Sequence, residues 1–135
     1  MADISVTAAS VVPATTGNTR SIIAGETLTA GLLVYRNSAD GRAWKASTAS
    51  LAASQIIGVT LDGGGAGQPV TVQTSGDYTA GGTVAVGTVY VVSDTGGAIA
   101  ASADNGAGDF CSVFGIGIST TKIRIGIVWS EVAHA

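Results

Sequence analysis

Few side chains in this chain could do chemistry, and their spacing argues against it. His134 is the only histidine. It stands next to the last residue, where nothing would fix the geometry of a general base. Cys111 is the only cysteine, so no internal disulfide forms. Its apolar setting, Phe110-Cys111-Ser112-Val113-Phe114, predicts a buried, inert thiol and not a nucleophile. The carboxylates come singly beside glycines: Asp40-Gly41, Asp62-Gly63, Gly76-Asp77 and Gly108-Asp109. That is turn chemistry, because an Asp side chain bonds its own local backbone. A structural Ca²⁺ held between several such loops is the sharper alternative. The stretch LDGGGAGQP at 61–69 has the glycines of a phosphate-cradling loop, but no Lys-Ser/Thr follows and no long helix opens after it. No Cys/His cluster has metal-ligand spacing. The expectation is a protein that is not an enzyme, with no metal and no cofactor.

The cations are sorted along the chain. Arg20, Arg36, Arg42 and Lys45 lie close together against Glu26 and Asp40, whereas residues 46–121 hold Asp62, Asp77, Asp94, Asp104 and Asp109 and no basic residue. Four spread cations without interleaved stacking aromatics do not make a nucleic-acid surface. Two readings stay open: solvated loop tips, or a basic face of one protomer meeting an acidic face of its neighbour and setting register. Charged residues make up only 11% of the chain, against about 25% in an average domain. Twenty glycines and many Ala, Val and Thr replace them. So neutral a surface predicts assembly over a solitary monomer. No run approaches the ~20 apolar residues that a membrane helix needs. The opening MADISVTAAS lacks a basic region and an apolar stretch, so synthesis in a reducing cytosol is expected.

The elements that must position these residues come in two copies. Residues 24–47 (AGETLTAGLLVYRNSADGRAWKAS) are echoed by 80–102 (AGGTVAVGTVYVVSDTGGAIAAS). Gly25 falls on Gly81 and Gly31 on Gly87; after one deletion Val34-Tyr35 falls on Val89-Tyr90, Asp40 on Asp94 and Ser47 on Ser102. Further on, Ile57-Gly58-Val59 matches Phe114-Gly115-Ile116, and Val70-Thr71-Val72 matches Ile123-Arg124-Ile125. Two copies are too few for an open solenoid, so a β-module closed on itself is expected.

Period-2 patterning predicts strands at 21–23, 32–36, 43–46, 56–61, 70–74, 89–93, 98–101, 110–118 and 122–129. Ser75-Gly76-Asp77 reads as a turn into the second copy. TASLAASQ (48–55) is the one candidate helix, capped by Ser47 or Thr48 and docked through Leu51. The matching 102–109 reads as a polar loop. In the last strand Ile123, Ile125 and Ile127 share one face, with Lys122, Arg124 and Gly126 on the other. Residues 1–19 stand outside both copies. Alternating Ile4, Val6 and Ala8, then Val11, Val12 and the breaker Pro13, predict an extended arm, frayed or laid along another subunit. The domain is then 20–135, in halves of about 20–76 and 77–130. Tyr35 and Tyr90 read as equivalent core or rim positions. Trp44, whose counterpart falls near Ile99, reads as an interface anchor. Trp129 reads as packing on a barrel end.

One resemblance follows from the phrases AG-E-T-L-x-A-G-x-L-V-Y (24–35), x-D-G-x-A (39–43), I-I-G-V-T-L (56–61) and G-x-x-V-T-V-x-T-S-G (67–76) behind a polar arm. The pattern, over roughly residues 20–130, resembles the capsid cement or head decoration proteins of tailed bacteriophages, of the lambda-decoration-like, β-clip or β-tulip type. The resemblance implies a mainly β fold, a small pseudo-duplicated β-barrel with at most one short helix. It also implies a structural virion protein on the outside of an expanded capsid, with the major capsid protein as partner. Such proteins stand commonly as trimers at local three-folds, in some phages as dimers, with no nucleic acid and no membrane involved. Capsid or protomer contacts are then expected at Ile4, Val6, Val11, Val12, Pro13, Arg20, Arg36, Arg42 and Trp44. A carbohydrate- or receptor-binding module, such as a head fibre or adhesin domain reading sugars through Trp44 beside Asp40-Gly41-Arg42, is the alternative.

Overall fold

The computed structural model describes residues 3–4, 6, 11, 17–80, 83–104 and 106–133. The first half runs β1 (Thr19–Ile23), β2 (Leu33–Arg36), β3 (Ala43–Lys45), α1 (Leu51–Ser54), β4 (Ile56–Thr60) and β5 (Pro69–Gln73). The second runs β6 (Gly76–Thr79), β7 (Val89–Val92), β8 (Ile99–Ala101), a 3-10 turn (Ser102–Asp104), β9 (Phe110–Gly117) and β10 (Lys122–Ala133). Each half is one antiparallel five-stranded sheet. The orders are β1-β5-β4-β2-β3 and β6-β10-β9-β7-β8, the same path taken twice. The repeat in the sequence is therefore a repeat of topology, and the protein is mainly β.

The registers give the equivalences residue by residue. Val34 lies opposite Gly58 and Lys45, while Tyr90 lies opposite Gly115 and Ala101. Val34 is thus the counterpart of Tyr90, and Tyr35 that of Val91. The expected match of Tyr35 with Tyr90 is one residue out, which in a strand means opposite faces. Trp44 likewise corresponds to Ala100, and Asp40 to Gly96. Both sheets carry a bulge at the same place: Ile57 and Phe114 are the extra residues between paired neighbours. Beside them Gly58 and Gly115 are held by close strand approach. A Cβ at Gly58 would overlap the Gln73 carbonyl oxygen, and one at Gly115 that of Arg124.

Each half encloses its own apolar interior. In the first it is formed by Ile22, Ala24, Leu28, Val34, Ala43, Val70 and Val72. Their counterparts Tyr78, Ala80, Val84, Tyr90, Ile99, Ile123 and Ile125 fill the second, where Tyr78 meets Phe114 edge-on at 5.8 Å. The second interior runs on into the seam between the halves, where Leu33, Ile56 and Val59 of the first half are fully buried. Backbone bonds stitch that seam: Gly97 N–H donates to Ala46 O and Leu33 N–H to Gly97 O, both at 2.8 Å. Trp129 adds its indole N–H to Ile56 O at 2.8 Å, joining the halves where a barrel end was expected.

Several local expectations change. The helix is shorter, Leu51–Ser54 with Ser50 as its cap, and buries Ser54 while Leu51 stays 40% exposed. Its Ser54 hydroxyl donates to Leu51 O, so the turn docks by its small side. The polar loop after β8 contains the 3-10 turn in the helix's place. Gly76-Asp77 starts a strand, because β10 offers Ile125 and Arg124 as ladder partners. Cys111 is half-buried.

The described residues of the arm lie on their own chain. Asp3 bridges Ala100 at the free edge of β8, and Ile4 N–H donates to Ile99 O at 2.9 Å. The buried Ser93 hydroxyl donates to Asp3 Oδ1 at 2.6 Å. Val6 and Val11 pack where Gly31, at φ +88°, leaves no room for a Cβ. Val12, Pro13 and His134 lie outside the described residues.

Candidate functional site

The two sheets present the same outward face, and among the described residues the first is far more fully covered than the second. On the first half this face consists of Ala30, Gly31, Leu33, Ile56, Val59 and Leu61. Leu33, Ile56 and Val59 are fully buried at the seam, and Ala30 and Leu61 pack against it. The registers map these positions onto Val86, Gly87, Val89, Val113, Ile116 and Ile118. There Val86 is 66% and Ile116 48% exposed. Val89, Val113, Ile116, Ile118 and Val128 line an open apolar groove of about 660 Å³, with Arg124 also in its lining opposite Ile116. Arg124 is itself tied to Asp77 at 3.1 Å. Val6 and Val11 crowd Gly31, whereas a Cβ on Gly87 would meet nothing within 4 Å. An exposed apolar sheet face of this extent marks a contact surface.

The residues expected at an interface separate into three groups. Ile4, Val6 and Val11 lie against the chain's own core and edge strand. Arg20 is exposed on β1, opposite Val72, at the other end of the strand order from β3. Arg36, Arg42 and Trp44 come together at the β2–β3 hairpin. There Asp40 accepts the Arg42 backbone N–H at 2.9 Å and the Trp44 indole N–H at 3.2 Å. Trp44 is half-buried, pairs with Tyr35 across the strands and lies against Gly25, where its indole would overlap any Cβ. Glu26 accepts the Lys45 backbone N–H at 3.0 Å and stands 4.0 Å from its ammonium. This hairpin is a basic knuckle on the first half, and its ring face is spent on the chain itself.

The carboxylates serve their turns. Asp62 accepts Thr71 N–H at 2.7 Å and Asp109 accepts Gly106 N–H at 2.8 Å. Among the described residues no three of His, Cys, Asp and Glu gather to hold a metal ion. The Tyr78 hydroxyl is buried with no hydrogen-bond partner among the described residues, and that burial pushes its pKa well above the ordinary 10.0. It lies in the seam between the halves, beside Gly31 of the first half.

The groove is absent from the residues singled out in the sequence, although β9 carried a signal. Val113, Phe114, Ile116 and Ile118 put apolar side chains on both faces of one strand. The inner face belongs to Phe114; on the outer one Ile116 stays exposed among the described residues.

Fold and face together define a duplicated β domain with one contact surface left open. No protein-family model matches the chain, and no curated protein matches it. Among the described residues, no helix is long and apolar enough to cross a membrane.

Proposed function

We propose that this is a structural assembly protein, a head decoration or cement protein that binds the outer surface of a bacteriophage capsid and stabilises the shell. The observation that carries the reading is the outward apolar face at Val89, Ile116 and Val128, on a rigid scaffold whose polar groups are engaged in turns. Such a face is stabilised only when something covers it. Low charge and many small residues suit a module that is mostly contact surface, where many weak copies on one particle add to a strong hold. The choice of a capsid comes from the resemblance of residues 24–76 to cement proteins. A homotrimer, with the major capsid protein as second partner and the exterior of the virion as location, belongs to the same proposal. The arm then contributes by completing the module, since Asp3 and Ile4 close the edge of β8. The sugar-reading alternative draws less support, because the Trp44 ring already lies on Gly25 and its N–H on Asp40.

The test is to mix the purified full-length chain with expanded, undecorated shells of the phage that encodes it. Co-sedimentation at saturating stoichiometry and added density on the outer surface are expected. Shells that sediment bare, with the protein captured instead on a glycan array, would overturn the reading.

A further inference from the structure

The chain carries one contact that it makes with itself and could make once more. Inside the protein, the β7–β8 turn of the second half inserts into the outward face of the first. Gly97 exchanges hydrogen bonds with Leu33 and Ala46, and a Cβ on it would stand 3.0 Å from the Leu32 side chain. Next to it a Cβ on Gly96 would stand 3.5 Å from the Lys45 Cβ. Plug and socket both recur at the equivalent positions, and no described residue joins them. The counterpart of the turn is the Asn37–Arg42 knuckle, exposed through Ser38, Ala39, Asp40 and Arg42. The counterpart of the socket is the edge at Thr88, Val89, Ala101 and Ser102, which shares Val89 with the groove lined by Ile116 and Ile118.

We infer that the groove of one copy receives the β2–β3 knuckle of a second copy, so that chains join head to tail and repeat between protomers the seam each already has within. The inference deepens the assembly reading by naming the partner of the open face. The surface pair is heterologous, plug on one half and socket on the other, so successive copies close into a ring if their rotation allows. Arg36 stands where the second half has the buried Val92, so the contact between copies is more polar than the seam and separates before the fold does.

The equivalence specifies a distance. Asp40 corresponds to Gly96 and Ala101 to Lys45, so the Cβ atoms of Asp40 and of Ala101 on the next copy fall within the roughly 3.5–4.5 Å that a disulfide spans. In a Cys111→Ser background, Asp40→Cys with Ala101→Cys is expected to give disulfide-linked multimers on mild oxidation. Gly96→Cys with Lys45→Cys is the control, expected to close within one chain. Sedimentation velocity of the unmodified full chain, without shells, is expected to show an oligomer. Ile116→Glu, at an exposed site, is expected to reduce it to monomer with an unchanged circular dichroism spectrum. A wild-type protein that stays monomeric at 100-fold the concentration of a typical assay, about 100 μM for a weak contact, overturns the inference. So does an oligomer indifferent to Ile116→Glu, or multimers that fail to form while the control disulfide closes. Shell binding plays no part in these readouts. Loss of the capsid reading would leave them standing, and their failure would leave capsid binding to be judged on shells.

Discussion

The outward faces of the two sheets have one ancestry of pattern and two fates. Leu33 and Val59 lie fully buried, while their counterparts Val89 and Ile116 line an open groove. Both pairs are apolar, so residue type does not decide which is covered. What differs is the neighbour: the first face has the second half and the arm upon it, while on the second, among the described residues, Val91 is buried but Val86 and Ile116 stay exposed. Duplication copied a surface that wants a partner, and folding within the chain satisfies only one of the two.

The largest effect that could break this contrast is truncation at the covered site. Leu33→Ala is expected to cost about 2–5 kcal/mol, the range for emptying a packed core position. Val89→Ala is expected to cost under about 1 kcal/mol when both are measured by urea unfolding in the monomeric Ile116→Glu protein. Equal losses would mean that the second face is covered after all. The glycine pair sharpens the point. Both sit at positive φ, +88° at Gly31 and +81° at Gly87, so either alanine carries a backbone strain of about 1–2 kcal/mol. Only Gly31→Ala also drives Val6 and Val11 aside, and its midpoint is expected to fall further, by a further 1–3 kcal/mol or so for overpacking.

Tyr78→Phe tests the interior that replaces Ile22 with a phenol. Its hydroxyl has no partner among the described residues, so its removal is expected to leave stability unchanged or raise it by about 1 kcal/mol at neutral pH. Burial raises the folded-state pKa, so the unfolded chain releases the proton first. Stability from this group holds below about pH 10 and declines as pH rises beyond it, by up to ~1.4 kcal/mol per pH unit. Alkaline unfolding followed by fluorescence is expected to start later in the phenylalanine variant. The smallest effect is Trp129→Phe, which removes the hydrogen bond to Ile56 O across the seam and is expected to cost about 1 kcal/mol in thermal or urea unfolding.

The glycine pairs and the alternation made the β elements and their repetition visible in the sequence, down to the matches of Gly58 with Gly115 and Val70 with Ile123. The slip came in β2 and β7. Val34-Tyr35 and Val89-Tyr90 look identical, and letter identity outweighed spacing. A one-residue shift turned an inward Tyr90 into the partner of an outward Tyr35, and with it concealed which positions faced out of the second sheet. β6 was hidden because Gly76-Asp77 has turn composition, and only β10 beside it makes a strand of it. The fate of the arm was illegible for the same reason. Nothing in Ile4 or Val11 says whether the strand edge and the gap they fill belong to their own chain or to a neighbour.

That arm imposes an order of events. Asp3 and Ile4 find their partners at Ala100 and Ile99, nearly a hundred residues downstream, and a contact so distant along the chain is slow to close. A ribosome making this protein releases Asp3 and Ile4 long before β8 exists to receive them. Asp3 and Ile4 are therefore among the last residues to settle, and a nascent chain halted before residue 99 would leave them unmoored.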